Sequence, residues 1–430
     1  MTQPIADRAS VSLTPDATPA SRDAIIYIPG LVKRGKEQVR NNIPARLAHA
    51  LDWNAESASA VFSTRAELEA TKKLNGLATV TSVLRRDGAV ELPVIDVYEF
   101  EYHDTLVTVQ RRSPIVQAGA LARMLLSVLG RVIAGIGKPS KSRADKINVA
   151  AGVATYLLLS GYMMFLLIVG LIALVDAGSL VVSPNINAIF GDARERIHAL
   201  EAAVLAIGSL GLFRVKGLRE LLDTATSELA AAGTYLSTGQ RVKTVQGRLS
   251  DLLARILEVE PKYDRVHVVA FSFGSLVAID SMFPKQVAGR QWERVDSLVT
   301  IGCPFDFIRT YWPEYFGTRE GVLDRPRKWY NVFAPADIFG SDFKDATYDF
   351  RSGKPTTTTD VGVLLRDGKM WVPEVISYGD PRTLTDLGLW AQLTLCGFKA
   401  HLSYWEDADN AASCMSPIVQ RLYEGRPALR

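Results

Sequence analysis

Cysteine is nearly missing from this chain of 430 residues: Cys303, Cys396 and Cys414 make up the whole set. An odd, scattered trio with no C-x-x-C spacing excludes a disulfide framework and a cysteine-built zinc site, and it fits a reducing compartment. Excess charge is lacking as well. A formal net charge of +3 over this length gives no signal for a nucleic-acid partner. Residues Met1 to Arg22 lack a continuous apolar stretch after basic residues, so they read as a flexible tail and not as a secretory signal peptide. Internal repeats are absent, and nothing in the pattern asks for a metal or another cofactor. Histidine is scarce too, at five residues.

Apolar residues are plentiful: 48% of the chain is hydrophobic against 22% charged. A chain of this size and composition folds and can bury a sizeable core. Order is expected to begin at Asp23-Ala24-Ile25-Ile26-Tyr27-Ile28, an apolar run broken by Pro29-Gly30 as a buried strand ending in a loop would be. Alternation predicts a strand over Pro93 to Tyr102. Apolar residues at helical spacing predict a helix over Arg241 to Val259, which leads into a strand at Val266 to Ala270. Further strands are expected at Asp296 to Ile301 and Lys328 to Phe333. Strands alternating with helices imply an α/β fold with a mostly parallel sheet covered on both faces.

One long charge-free run interrupts this pattern. From Ile147 to Val175 no residue is charged, and a helix crosses a bilayer with about 20 residues. No polar stripe is present, as a buried helix of that length would show. A weaker apolar segment follows from Ile197 to Phe213. A single crossing would separate the strands at Ile25–Ile28 and Val266–Ala270 by a bilayer, and one sheet cannot be shared that way. The expected organisation is therefore a tail (1–22), a first part of the α/β domain (23–145), a transmembrane helical hairpin (146–214) and a second part of that domain (215–430). Arg131, Lys138, Lys141, Arg143 and Lys146 precede the hairpin, and Arg214, Lys216 and Arg219 follow it. That bias places both flanks on the cytoplasmic side of a membrane. A hydrophobic lid or a dimerisation helix pair remains the alternative.

The most informative short stretch is Val268-Val269-Ala270-Phe271-Ser272-Phe273-Gly274. It sets Ser272 at a strand-to-helix corner with very small residues two positions away on each side. Such a corner lifts the hydroxyl clear of the sheet and leaves the amide of Phe273 free to stabilise an oxyanion. The plainer reading is a helix N-cap serine.

An acyl-transfer serine needs a base and a group to orient that base. His267 lies on the strand entering the corner, His198 in the apolar hairpin, and His49 and His103 precede the corner. His401, in Phe398-Lys399-Ala400-His401-Leu402-Ser403-Tyr404-Trp405, is the remaining candidate. Asp337 is the preferred acid, because Trp329 to Phe333 read as a strand followed by a proline-marked loop. Asp342 and Asp345 are runners-up, and Asp306 lies one strand too early.

Ser272, Asp337 and His401 follow the chain order of α/β-hydrolases. The chain resembles that superfamily, and within it the lipase- and esterase-like serine hydrolases, through four pieces. These are Pro29-Gly30-Leu31, the AFSFG corner, the N-x-x-x-P-x-D pattern ending at Asp337, and H-x-x-Y-W at His401. The resemblance implies an α/β-hydrolase fold interrupted by the hydrophobic hairpin, and an oxyanion hole completed by the Leu31 amide beside that of Phe273. The expected function is a membrane-anchored serine hydrolase acting on a carboxylic ester or thioester. An acyl lipid of the bilayer is the natural substrate for a site tethered there. The rival from another class is a non-catalytic membrane-anchored interaction protein on a hydrolase-like scaffold.

Overall fold

The computed structural model describes residues 22–31, 43–53, 61–87, 90–106, 153, 232–233, 235–236, 239–259, 263–285, 290–312, 314–320, 328–335, 337, 339–349, 354–378, 401, 403–405 and 413–424. In chain order its elements begin with β1 (Asp23–Ile28), α1 (Ile43–Trp53), β2 (Val61–Ala66), α2 (Leu68–Lys73), β3 (Ala78–Asp87) and β4 (Val90–Phe100). After the 3-10 turn His103–Thr105 come α3 (Gly239–Leu257), β5 (Arg265–Phe271), α4 (Phe273–Met282), β6 (Val295–Ile301), α5 (Phe305–Tyr311) and β7 (Lys328–Phe333). The short strands β8 (Lys344–Asp349), β9 (Lys354–Asp360), β10 (Val363–Leu364), β11 (Met370–Trp371) and β12 (Glu374–Ser377) follow, then α6 (Met415–Leu422).

Eight strands form one sheet in the order β12-β7-β6-β5-β1-β4-β3-β2. Six of them, from β12 to β4, run parallel, and β3 and β2 extend the edge antiparallel. Antiparallel ribbons β8–β9 and β10–β11 are inserted between β7 and β12. The protein is thus α/β, with a mostly parallel central sheet flanked by helices.

The near-continuous apolar strands follow from burial on both faces. Along β1, Ala24, Ile26 and Ile28 join one core cluster, and Ile25 and Tyr27 join the other. Along β5, Val266, Val268 and Ala270 face the first cluster, and Val269 and Phe271 the second. The first cluster is closed by α3, α4 and α5, the second by α1 and α6. On α3, Val245, Leu249, Leu252, Leu253 and Ile256 recur at helical spacing and are all buried. On α4 all ten residues are buried.

β1 and β5 are direct neighbours, registered from Asp23 opposite Arg265 to Ile28 opposite Ala270. From β1 the sheet extends through β4 in one direction, and from β5 through β6 and β7 in the other. In open α/β sheets the crevice at the carboxyl ends of strands at such a switch point is where ligands bind. The expected hairpin (146–214) lies outside the described residues apart from Val153, which is helical and packs half-buried against the first cluster. The tail (1–22) is likewise outside them, save Arg22. Among the described residues no helix is long and apolar enough to cross a membrane.

Candidate active site

Four chain segments meet at the carboxyl edge of the sheet. Ser272 follows β5, Gly302 follows β6, Asp337 follows β7, and Gly30-Leu31 follow β1. Ser272 has φ +53° and ψ −125°, a conformation that L-residues other than glycine rarely adopt. Strain of this kind costs about 1–3 kcal/mol and persists only where the surroundings enforce it. They do so here. The Ser272 amide donates to the Ile301 carbonyl at 2.8 Å, the Ser275 amide donates to the Ser272 carbonyl at 2.9 Å, and the Ser275 hydroxyl donates to the Ala270 carbonyl at 3.1 Å.

Gly274 explains the small residue after the serine. A Cβ there would stand within 2.5 Å of the backbone oxygens of Ile28 and Pro29, which have no room to yield. Contact between β1's end and α4 is therefore backbone to backbone. Although it precedes α4, the Ser272 side chain makes no capping hydrogen bond. Its hydroxyl turns away from the helix to His401.

Ser272 Oγ lies 2.7 Å from His401 Nε2, and His401 Nδ1 lies 2.9 and 2.8 Å from Asp337 Oδ1 and Oδ2. A carboxylate only accepts, so Nδ1 carries the proton and Nε2 offers its lone pair to the serine hydroxyl. Asp337 accepts two further bonds, from the Phe339 amide to Oδ1 and from the Tyr404 hydroxyl to Oδ2, both at 2.9 Å. Burial pushes the Tyr404 phenol well above its ordinary pKa, so it stays a donor. Its oxygen in turn accepts from the Ala334 amide at 2.9 Å.

Aromatic rings fix the imidazole. Phe271 stacks on His401 with centroids 5.5 Å apart, and Phe339 meets it edge-on at 5.3 Å. Gly302, with φ +55°, clears the space below, since a Cβ there would meet Tyr404, Asp337 and His401 at 2.9 to 3.4 Å. Beside it the Cys303 thiol is fully buried and raised far above its ordinary pKa by desolvation, so it supplies no nucleophile. Phe273 is the first residue of α4, and its amide belongs to the helix N–H groups that have no intrahelical acceptor.

The structure thus brings Ser272, His401 and Asp337 into one chain of hydrogen bonds. Phe273 is next to Ser272 in the chain, and Gly30, the residue before Leu31, is so close that a Cβ there would meet Ser272 Cβ at 3.1 Å. Asp306 is engaged elsewhere, by the Ser341 hydroxyl and by Arg309 at 3.1 Å. Asp342 accepts from the Lys344 amide, and Asp345 sits on the β8–β9 ribbon. Sequence reasoning passed over Phe271, Phe339 and Gly302, and it gave Tyr404 no role beyond its place in H-x-x-Y-W. The spacing of Tyr404, three residues after His401, was the usable signal. Among the described residues no group of three or more metal-donor side chains is placed to hold an ion.

These features place a serine hydroxyl, an imidazole and a carboxylate in hydrogen-bond contact at the switch point of an α/β sheet. Comparison with protein-family models, with curated proteins and with solved structures returned no match.

Proposed function

We propose that this protein is a serine hydrolase of α/β-hydrolase fold that cleaves a carboxylic ester or thioester of an acyl lipid. In this reading residues 146–214 anchor it in a membrane, with the catalytic part on the cytoplasmic side. The observation that carries the reading is the chain of hydrogen bonds from Ser272 Oγ through His401, at 2.7 Å, to Asp337 at 2.8 Å, built on a strained serine.

His401 Nε2 takes the hydroxyl proton as Ser272 Oγ attacks the carbonyl carbon. Asp337 holds the imidazole in this tautomer and stabilises the imidazolium that forms. The negative oxygen of the tetrahedral intermediate is stabilised by the amides of Phe273 and Leu31. His401 then protonates the leaving alcohol or thiol, and an acyl-serine remains. Water enters and gives its proton to His401, and the resulting hydroxide attacks the acyl carbonyl. Collapse expels Ser272 Oγ, which recovers the proton from His401, and the carboxylic acid leaves.

An acyl lipid suits a site tethered at a bilayer, where such esters stand at high effective concentration. The test is a fluorophosphonate probe on the full chain in membranes, followed by a panel of lipid esters. Wild-type protein should be labelled and Ser272→Ala should not. Labelling unaffected by that change overturns the enzyme reading and leaves a hydrolase-like scaffold for interaction.

A further inference from the structure

The loop that would supply the second oxyanion donor is held from outside by the end of β4. Gly30 abuts the nucleophile, since a Cβ at Gly30 would meet Ser272 Cβ at 3.1 Å. The Leu31 amide is therefore one peptide plane from the reacting hydroxyl. Within a trans peptide the carbonyl and the following N–H point in opposite directions. The direction taken by the Gly30 oxygen thus decides where the Leu31 N–H points.

That oxygen lies 2.8 Å from His103 Nε2. A carbonyl oxygen can only accept, so His103 Nε2 carries the hydrogen. The preceding plane is pinned too, because the Tyr102 hydroxyl donates to the Pro29 oxygen at 2.7 Å. Tyr102 and His103 stack with ring centroids 4.7 Å apart. Their segment is fastened to α3, where the Arg248 guanidinium donates to Asp104 Oδ1 at 2.6 Å and to the Glu101 oxygen at 2.8 Å. Removing the bond to His103 takes away this hold on the Gly30 oxygen, and the Gly30–Leu31 plane can then turn over. It would then offer a carbonyl oxygen to the developing anion in place of an N–H.

We infer that His103 is a positioning residue: its Nε2–H holds the Gly30 carbonyl so that the Leu31 amide faces the oxyanion at Ser272. The inference rests on reading Ser272 as the nucleophile. It assigns His103 a part that needs no contact with substrate.

The test uses the full chain in membranes and the second-order rate of fluorophosphonate labelling, with Ser272→Ala as the blank. The phosphoryl oxygen of the probe occupies the place of the substrate oxyanion. His103→Phe keeps an aromatic ring on Tyr102 and removes the donor, and His103→Gln keeps an amide donor and removes the ring. Losing an oxyanion donor costs about 100-fold or more. Letting one wander should slow the phenylalanine variant about tenfold or more, with the glutamine variant within a few-fold of wild type. With an ester that the protein hydrolyses, kcat should fall in the phenylalanine variant and KM should not change.

Labelling of His103→Phe at the wild-type rate overturns the inference and leaves the nucleophile reading standing. So does a glutamine variant as slow as the phenylalanine one, because ring packing would then be what matters. Wild-type protein that is not labelled, or labelling that survives Ser272→Ala, overturns both readings. If the phenylalanine variant does not fold, His103→Leu is the donor-free variant and the same outcomes apply.

Discussion

At the scale of single residues, the site depends on atoms that contribute nothing to the hydrophobic pattern. Tyr404 is the clearest case. Its buried hydroxyl donates to Asp337 and accepts from the Ala334 amide, so removing it leaves a carboxylate oxygen short of a donor and an amide without its acceptor. Unsatisfied buried groups of this kind cost about 1–3 kcal/mol each. Tyr404→Phe should lower kcat about tenfold through a less well-held imidazole, with KM little changed and a lower urea midpoint. Steady-state kinetics and a urea titration check both. Gly274→Ala makes the complementary statement. Its methyl would press on the backbone oxygens of Ile28 and Pro29, and overpacking against such rigid neighbours costs about 1–3 kcal/mol or more. Loss of labelling together with a lowered melting temperature is the expected result. Ser272 and Gly274 were legible in the sequence because a tight corner restricts residue type so severely. His103 was not, because its bond goes to a backbone oxygen, and acceptor oxygens leave no mark on the amino-acid pattern.

At the scale of elements, what must be explained is how α4, buried along its whole length, carries an aspartate. Asp280 accepts from the hydroxyls of Tyr235 and Tyr315 and pairs with Arg319, which is itself 1% exposed. Burial pushes both phenols well above their ordinary pKa, so they remain donors to the carboxylate. Arg319 also donates to the Phe283 and Tyr315 oxygens, and Gln246 of α3 donates to the Asp280 oxygen. The network ties the far end of α4, the helix that follows Ser272, to α3 and to the segment after α5. Removing one partner of a buried pair leaves an uncompensated charge and costs about 3–5 kcal/mol. Arg319→Met should therefore destabilise the protein by that amount in a urea titration of the detergent-solubilised chain. Combining it with Asp280→Asn, which removes the stranded charge, should recover part, with a coupling of about 1–3 kcal/mol. Strictly additive losses would show that the two residues stabilise the fold independently. None of this was readable in advance. The strands β1, β5, β6 and β7 announced themselves through apolar runs, β4 through alternation, α3 through helical spacing and α4 through the corner at Ser272. The edge strand β2 is mostly exposed, β9 is exposed over 356–360, and β10 and β11 have two residues each, so burial imposes little pattern on them.

At the scale of the whole molecule, the sheet constrains what the apolar insertion can do. β1 and β5 lie side by side in register, yet between them in the chain come residues 107–231, of which Val153 alone is described. Two adjacent strands of one sheet share one side of any bilayer, so the intervening chain must return to the side it left. The chain just before residue 107 is fastened to α3 as well, since Arg248 of α3 bonds to Asp104 and to the Glu101 oxygen. An insertion between two parts of one fold can be shortened with little entropic penalty, because closure entropy varies only slowly with loop length. Val153, packed half-buried against the first core cluster, marks a part that should be kept. Replacing residues 156–214 by a short Gly/Ser linker should thus preserve the sheet and the Ser272 site and remove the anchor. Full-length protein should stay with the membrane pellet through carbonate extraction. The shortened protein should appear in the supernatant and react with the fluorophosphonate probe within about threefold of the wild-type rate, if loop length has only that slow effect on closure. Carbonate release of the full-length protein would make the apolar run a lid or an interface between copies. A shortened protein that stays folded but no longer reacts would show that the segment completes the site as well as tethering it.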